Sequence, residues 1–348
     1  MPQCARLLGQ ARAEDWPWRG EAWYPARNGE DRLPHNNLRG AFFNATTFAL
    51  QRVDSLFDFA WPTAAALWNL RWQVRGFVDE VPDASQDDLN GRFAAGSGIR
   101  GLDLRKACIT TTWEDQQEIF AGFILTNALA IYEHWSDEIL AAFGEPAPRG
   151  GHPLQLDQPA LGVQAWVAGK QTPLSTLNDT QFFPAYRSHR KYSWPLIANL
   201  MKAFRYFKQG RNALIHRGGI ANAVDEQAYL DFAPVSGRAS LGMRGSLEHH
   251  PFVAGQRVKL KLRGVVGFCD ILIRLMRSID AEASRSLDAE SITKERLARG
   301  RGIRWMLSGD EGIRAQQIKQ MCRAGGLPWP VDTQVVYQFM LDAQMLRM

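Results

Sequence analysis

Apolar residues recur at steps of three and four through most of this chain, and that spacing commits it to packed helices. From Ala41 one stripe runs through Phe42, Phe43, Thr46, Leu50, Val53, Leu56 and Phe57. Trp61-Pro62 is expected to interrupt it, since proline suits the first turn of a new helix. A second pattern follows through Leu67, Leu70, Val74 and Phe77. Thr111 to Glu114 fits a capping box. The long helix behind it carries Ile119, Phe120, Phe123, Ile124, Ala128, Ile131, Trp135, Ile139 and Leu140, and ends near Gly144. Another helix is expected from Ser193-Trp194-Pro195, and one more through Val258, Leu262, Val265, Cys269, Leu272, Met276 and Ile279. The stretch "VKLKL" within it alternates like a strand, but the longer three-and-four spacing favours helix. Turn formers make 81–101 and 145–180 read as loops and 218–255 as irregular chain.

The fold class is therefore mainly α. Residues 41–287 form a helical bundle with loop insertions. An irregular arm at 1–40 carries Trp16, Trp18, Trp23 and Tyr24, and a small C-terminal helical segment at 288–348 is punctuated by Gly309 and Asp332. With 45% hydrophobic residues, the 348-residue chain has the material for a sizeable core. The four cysteines are scattered, without zinc-ligand spacing, so no metal and no cofactor are expected. No signal-peptide core and no run of about 18 apolar residues is found, so no membrane partner and a cytoplasmic location are expected.

The helix after Pro195 has a stripe of Ile197, Leu200, Met201, Phe204 and Phe207, resumed at Leu214 and Ile215. Continuing the spacing puts Arg211 on that stripe. A guanidinium there loses water and needs an oxyanion in return. Asn212 and His216 fall roughly 40° apart on one face, with Arg211 roughly 140° from the histidine. Either the long arginine wraps around, or a second copy of the helix crosses the first in a twofold dimer. Histidine titrates near neutrality and can move a proton at a ribose 2′-hydroxyl. Arginine offers a planar fork to phosphate. Asparagine can orient the histidine or bond the phosphate. Gly218 and Gly219 end the helix beside a loop that a strand of RNA can reach. From Gln181 to Val224 there is no Asp or Glu but there are eight Lys or Arg, which favours an anionic ligand. Lys208, Arg205 and Arg217 are the candidates to track an RNA backbone, and Tyr206 or Tyr192 to stack a base.

The run Arg211-Asn212-Ala213-Leu214-Ile215-His216 resembles the R-N-x-x-x-H motif of the HEPN superfamily (the higher eukaryotes and prokaryotes nucleotide-binding domain). The resemblance implies a HEPN-like helical bundle, usually a homodimer, with a metal-independent endoribonuclease site at the dimer interface. It assigns Arg211 and His216 to the paired catalytic positions and Asn212 to the polar position after the arginine. It also implies RNA as substrate, and a toxin or anti-phage defence role. About 25 residues carry it; the helices from 41 to 284 are compatible with the fold.

Two alternatives stand beside it. In the first, Arg211 makes a structural salt bridge, to Glu133 or Asp137, and His216 only complements a helix C-terminus. In the second, the chain is a non-catalytic module that binds RNA, a nucleotide or a regulatory partner protein in a toxin–antitoxin or defence complex. The basic cluster Lys294, Arg296, Arg299, Arg301 and Arg304 faces RNA, a partner or water.

Overall fold

The computed structural model describes residues 40–146, 151–298 and 305–346. All of them belong to one compact unit. The expected arm at 1–40 lies, apart from Gly40, outside the described residues. Twelve α-helices account for the architecture, and isolated bridges take the place of a sheet among the described residues.

Helix α1 spans Asn44–Glu80 and runs straight through Pro62, against the expected interruption. Its buried face, Ala49, Val53, Phe57, Ala60, Ala64, Arg71 and Val74, keeps helical spacing on both sides of the proline, at steps of three, four and seven. Burial of that continuous stripe outweighs a proline cost of about 3 kcal/mol. Phe57 and Trp61 stack at 5.5 Å just before it. Thr63 Oγ1 donates to the Phe59 carbonyl at 2.8 Å one turn back. No side chain within α1 caps its start. Instead the backbone N–H groups of Phe42 and Phe43 donate to the buried Asp280 carboxylate, at 2.5 and 2.9 Å. Burial pushes the Asp280 carboxyl up to about 6.

The stretch 81–101 is not all loop. Ser85 and Asp88 form a reciprocal capping box for α2, Gln86–Phe93. Leu89 from that helix seals a satellite core with Val74, Ala84, Leu104 and Cys108. Helix α3, Trp113–Ala142, is capped by Thr112, one residue later than the expected Thr111. Residues 145–180 contain α4, Val163–Lys170, and lead through a π-turn into α5, Phe183–Arg187. The motif helix is α6, Ile197–His216. Within 218–255 an Asn222–Asp225 capping box starts α7, Ala223–Phe232, and a single turn, α8, covers Arg238–Leu241. Both capping boxes end in aspartate, a shorter acid than the glutamate of the usual signature, and both lie among turn formers.

Helix α9 begins at Leu262 and ends at Ala283. Val258 to Lys261 of "VKLKL" lie outside it, contrary to the expected helix, and only Leu262 belongs to α9. Val258 donates its N–H to the Gly219 carbonyl at 2.8 Å, and Ile220 bridges Arg257. After α9 come α10 (Leu287–Ala298), α11 (Glu311–Ala324) and α12 (Thr333–Asp342). The first of these is bonded into the body: Thr293 Oγ1 donates to Asn178 Oδ1 at 2.7 Å.

Helix α3 is the central element, packed against α1, α6 and α9. Thr46 meets Trp135, Phe59 meets Phe123 and Trp68 meets Trp113, so α1 and α3 are antiparallel. Phe204 meets Tyr132 and Leu214 lies against Gly122, so α6 is antiparallel to α3 as well. Around this contact Trp135, Tyr132, Phe204, Phe207 and Phe268 are fully buried. Each such ring contributes about 1.5–3 kcal/mol. The exposed end of the predicted α3 stripe, Ile119 and Phe123, stays in solvent.

Candidate functional site

Arg211 meets the oxyanion its place on the stripe requires, and that oxyanion is internal. Its Nη2 donates to Glu133 Oε2 on α3 at 2.8 Å. The Arg211 side chain is 15% exposed and Glu133 30%, so the pair sits at the edge of the core. Nη1 donates to Asn212 Oδ1 at 3.1 Å. Asn212 therefore grips the arginine, rather than aligning the histidine as expected. Arg211 Nε is buried with no hydrogen-bond partner. His216 is the last residue of α6 and is exposed. Gly218 and Gly219 take left-handed φ of 59° and 82°, which side chains resist, and Gly219 N–H donates back to the Ala213 carbonyl at 2.9 Å. The helix thus stops just past the histidine, as the sequence predicts.

The basic field is narrower than the acid-free run implies. Asp157 and Asp231 accept from Arg205 Nη1 at 3.3 and 3.1 Å. Both oxygens of Asp225, a fully buried carboxylate, accept from Arg217 Nη2 at 2.7 Å. Acids from outside the acid-free run fold onto the cations, so Arg205 and Arg217 are held by their own chain. Lys208 alone among the three backbone-tracking candidates forms no carboxylate ion pair among the described residues. Its Nζ donates to Gln155 Oε1 at 2.6 Å and lies 5.6 Å from the Phe204 ring centre. Burial lowers the Lys208 pKa, Glu133 opposes that, and Arg211 adds to it.

Tyr206 is buried, with its hydroxyl donating to the His250 carbonyl at 2.8 Å, and has no face for a base. Tyr192 donates to Glu282 in a very close hydrogen bond. Of the C-terminal basic cluster, Arg299, Arg301 and Arg304 lie outside the described residues. Arg296 packs over Phe42 and donates to Asn44.

Near Lys208 and Glu133 lie His152 and Gln155, which carry no sequence signal. Gln155 links Lys208 to Ser136, and His152 Nε2 lies 3.2 Å from Asp137 Oδ1, one turn from Glu133. His152 Nε2 is buried and makes no hydrogen bond among the described residues. Leu154 N–H donates to His152 Nδ1 at 3.2 Å. Burial lowers the His152 pKa, against the opposing pull of Asp137. No local signal marks His152 and Gln155, because they lie in an insertion rich in turn formers. Among the described residues no three His, Cys, Asp or Glu side chains are grouped to hold a metal ion. No helix among them is long and apolar enough to cross a membrane. Comparison of the chain with family models, curated proteins and solved structures returned no match.

Proposed function

We propose that the chain is a HEPN-type, metal-independent endoribonuclease that cleaves RNA by attack of a ribose 2′-hydroxyl. The observation that carries this is His216, open to solvent at the end of α6 and five residues beyond a guanidinium with an unpartnered Nε. In this reading His216 takes the 2′-hydroxyl proton. The 2′-oxygen bonds to phosphorus as the bond to the 5′-oxygen breaks, and the leaving oxygen collects a proton. The products are a 2′,3′-cyclic phosphate and a 5′-hydroxyl. Arg211 stabilises the added charge on the phosphoryl oxygens. Glu133 and Asn212 hold the fork in place, and an arriving phosphate competes with Glu133 for it.

On one helix Arg211 and His216 point roughly 140° apart. The reading therefore includes a homodimer in which two copies of α6 complete the site. It takes the protein as cytoplasmic, acting as a toxin or defence effector. Lys208 remains the substrate-binding candidate.

A second reading is favoured by the pairing of Arg211 with Glu133: a HEPN-like scaffold that binds RNA or a regulatory partner without turning it over. Wild-type protein in chelator, given a single-stranded RNA and its all-deoxy counterpart, separates the two. The first reading expects cut RNA with cyclic phosphate ends and intact DNA. RNA bound but left whole overturns it in favour of the scaffold.

A further inference from the structure

On a different helix from the motif, α1 carries Trp68, Arg71, Trp72 and Arg75 at i, i+3, i+4 and i+7, a spacing that gathers four side chains on one face. They line a cleft of about 310 Å³ against Trp113, at the start of α3. That volume is at the small end for ligand pockets, about 300–1,000 Å³. The Trp68 ring centre is 4.9 Å from that of Trp113 and 5.9 Å from that of Trp72. Trp72 is 46% exposed, an unusual position for so large a ring.

Two polar features of the cleft lack what they need. Trp113 Nε1 is buried without a hydrogen-bond partner. Arg71 is only 8% exposed, and its hydrogen bonds go to neutral acceptors: the carbonyls of Ala107 and Thr111 and the Gln116 side chain. Neither Arg71 nor the exposed Arg75 forms an ion pair among the described residues, and the rim acid Glu114 stays beyond ion-pair distance of both. Leaving a guanidinium unneutralised at such a depth is costly. A positive, tryptophan-lined cleft repels cations and offers ring faces to a flat ligand that brings negative charge.

We propose that this cleft binds a nucleotide unit, with the base stacked on Trp72 and the phosphate against Arg75 and Arg71. The proposal is independent of the ribonuclease reading, because the cleft shares no residue with α6. Trp113 and Gly122 differ by a half-turn in phase, so the cleft and α6 lie on opposite sides of α3. The unit can come from a free mononucleotide or from an RNA strand.

The test uses the full chain carrying His216→Ala, so that no strand is cut whatever the motif does. Tryptophan fluorescence and calorimetry follow titration with AMP, adenosine, inorganic phosphate and a short single-stranded oligoadenylate. AMP is expected to quench fluorescence and release heat, with adenosine and phosphate each about tenfold weaker or worse. Trp72→Ala and Arg75→Ala are each expected to cost about tenfold in affinity at unchanged melting temperature, since both side chains are exposed. Oligoadenylate binding more tightly than AMP identifies the strand as the source, and the reverse identifies the free nucleotide. No binding of AMP or oligoadenylate up to millimolar concentration overturns the proposal. So does binding that both variants leave unchanged.

Discussion

Arg71 and Arg211 both draw a guanidinium into the edge of the core, and the fold treats them differently. On α6 and at its C-cap the arginines are answered by acids: Glu133 for Arg211, Asp157 and Asp231 for Arg205, Asp225 for the capping Arg217. On α1, Arg71 has only neutral acceptors and Arg75 forms no ion pair among the described residues. The stretch that looks most basic in sequence is therefore the better neutralised in space. The tryptophan cleft keeps its positive charge. A cation matched to an internal acid contributes to stability and yields to a ligand only by competition. An unmatched one costs stability and favours any anion that arrives.

Breaking the matched pairs should show that difference in stability. The largest effect is expected at Asp225→Ala, which removes both the Arg217 partner and half of the α7 capping box. The carboxylate is fully buried, so a loss of about 3 kcal/mol in chemical denaturation is expected. Glu133→Ala should cost less, about 1–2 kcal/mol, because its pair is partly solvated. A double-mutant cycle with Arg211→Ala should recover most of that loss as coupling; additive losses would mean the pair contributes nothing.

The two regions should also part with pH. His152 is neutral in the fold with its pKa held below the ordinary value, chiefly by burial. Its contribution is fully present above the unfolded value near 6.5 and is lost as pH falls through the lower folded one. Thermal melts from pH 7 to pH 5 should therefore fall more steeply for wild type than for His152→Gln. The cleft contains no histidine, so AMP affinity should stay flat from pH 8 to pH 6.5, above the second phosphate ionisation. The smallest effect is at Arg75→Ala, within about 0.5 kcal/mol of wild-type stability, as an exposed and unpaired side chain implies.

The long helices were legible because their apolar steps are long and regular. The α6 boundaries and the closing glycines followed from the residues themselves. Pro62 is a local breaker that does not end the helix, because the apolar stripe continues past it. α2 and α7 were missed because each is short and opens among turn formers, with Asp where the capping signature has Glu. The need of Arg211 for an oxyanion was legible, and Glu133 stood among the alternatives. The compensation of Arg205 and Arg217 was not, because their partners come from Asp157, Asp231 and Asp225, beyond the acid-free run. The cleft was readable as an i, i+3, i+4, i+7 set of Trp and Arg. The apolar stripe of Leu67, Leu70, Val74 and Phe77 beside it is the stronger periodic signal.

The ribonuclease reading stands or falls on initial rates of cleavage of one single-stranded RNA in chelator by wild type, Arg211→Ala and His216→Ala. Cutting by wild type with a loss of about 10²-fold or more in each variant is the predicted result. Equal rates in all three folded proteins would contradict it.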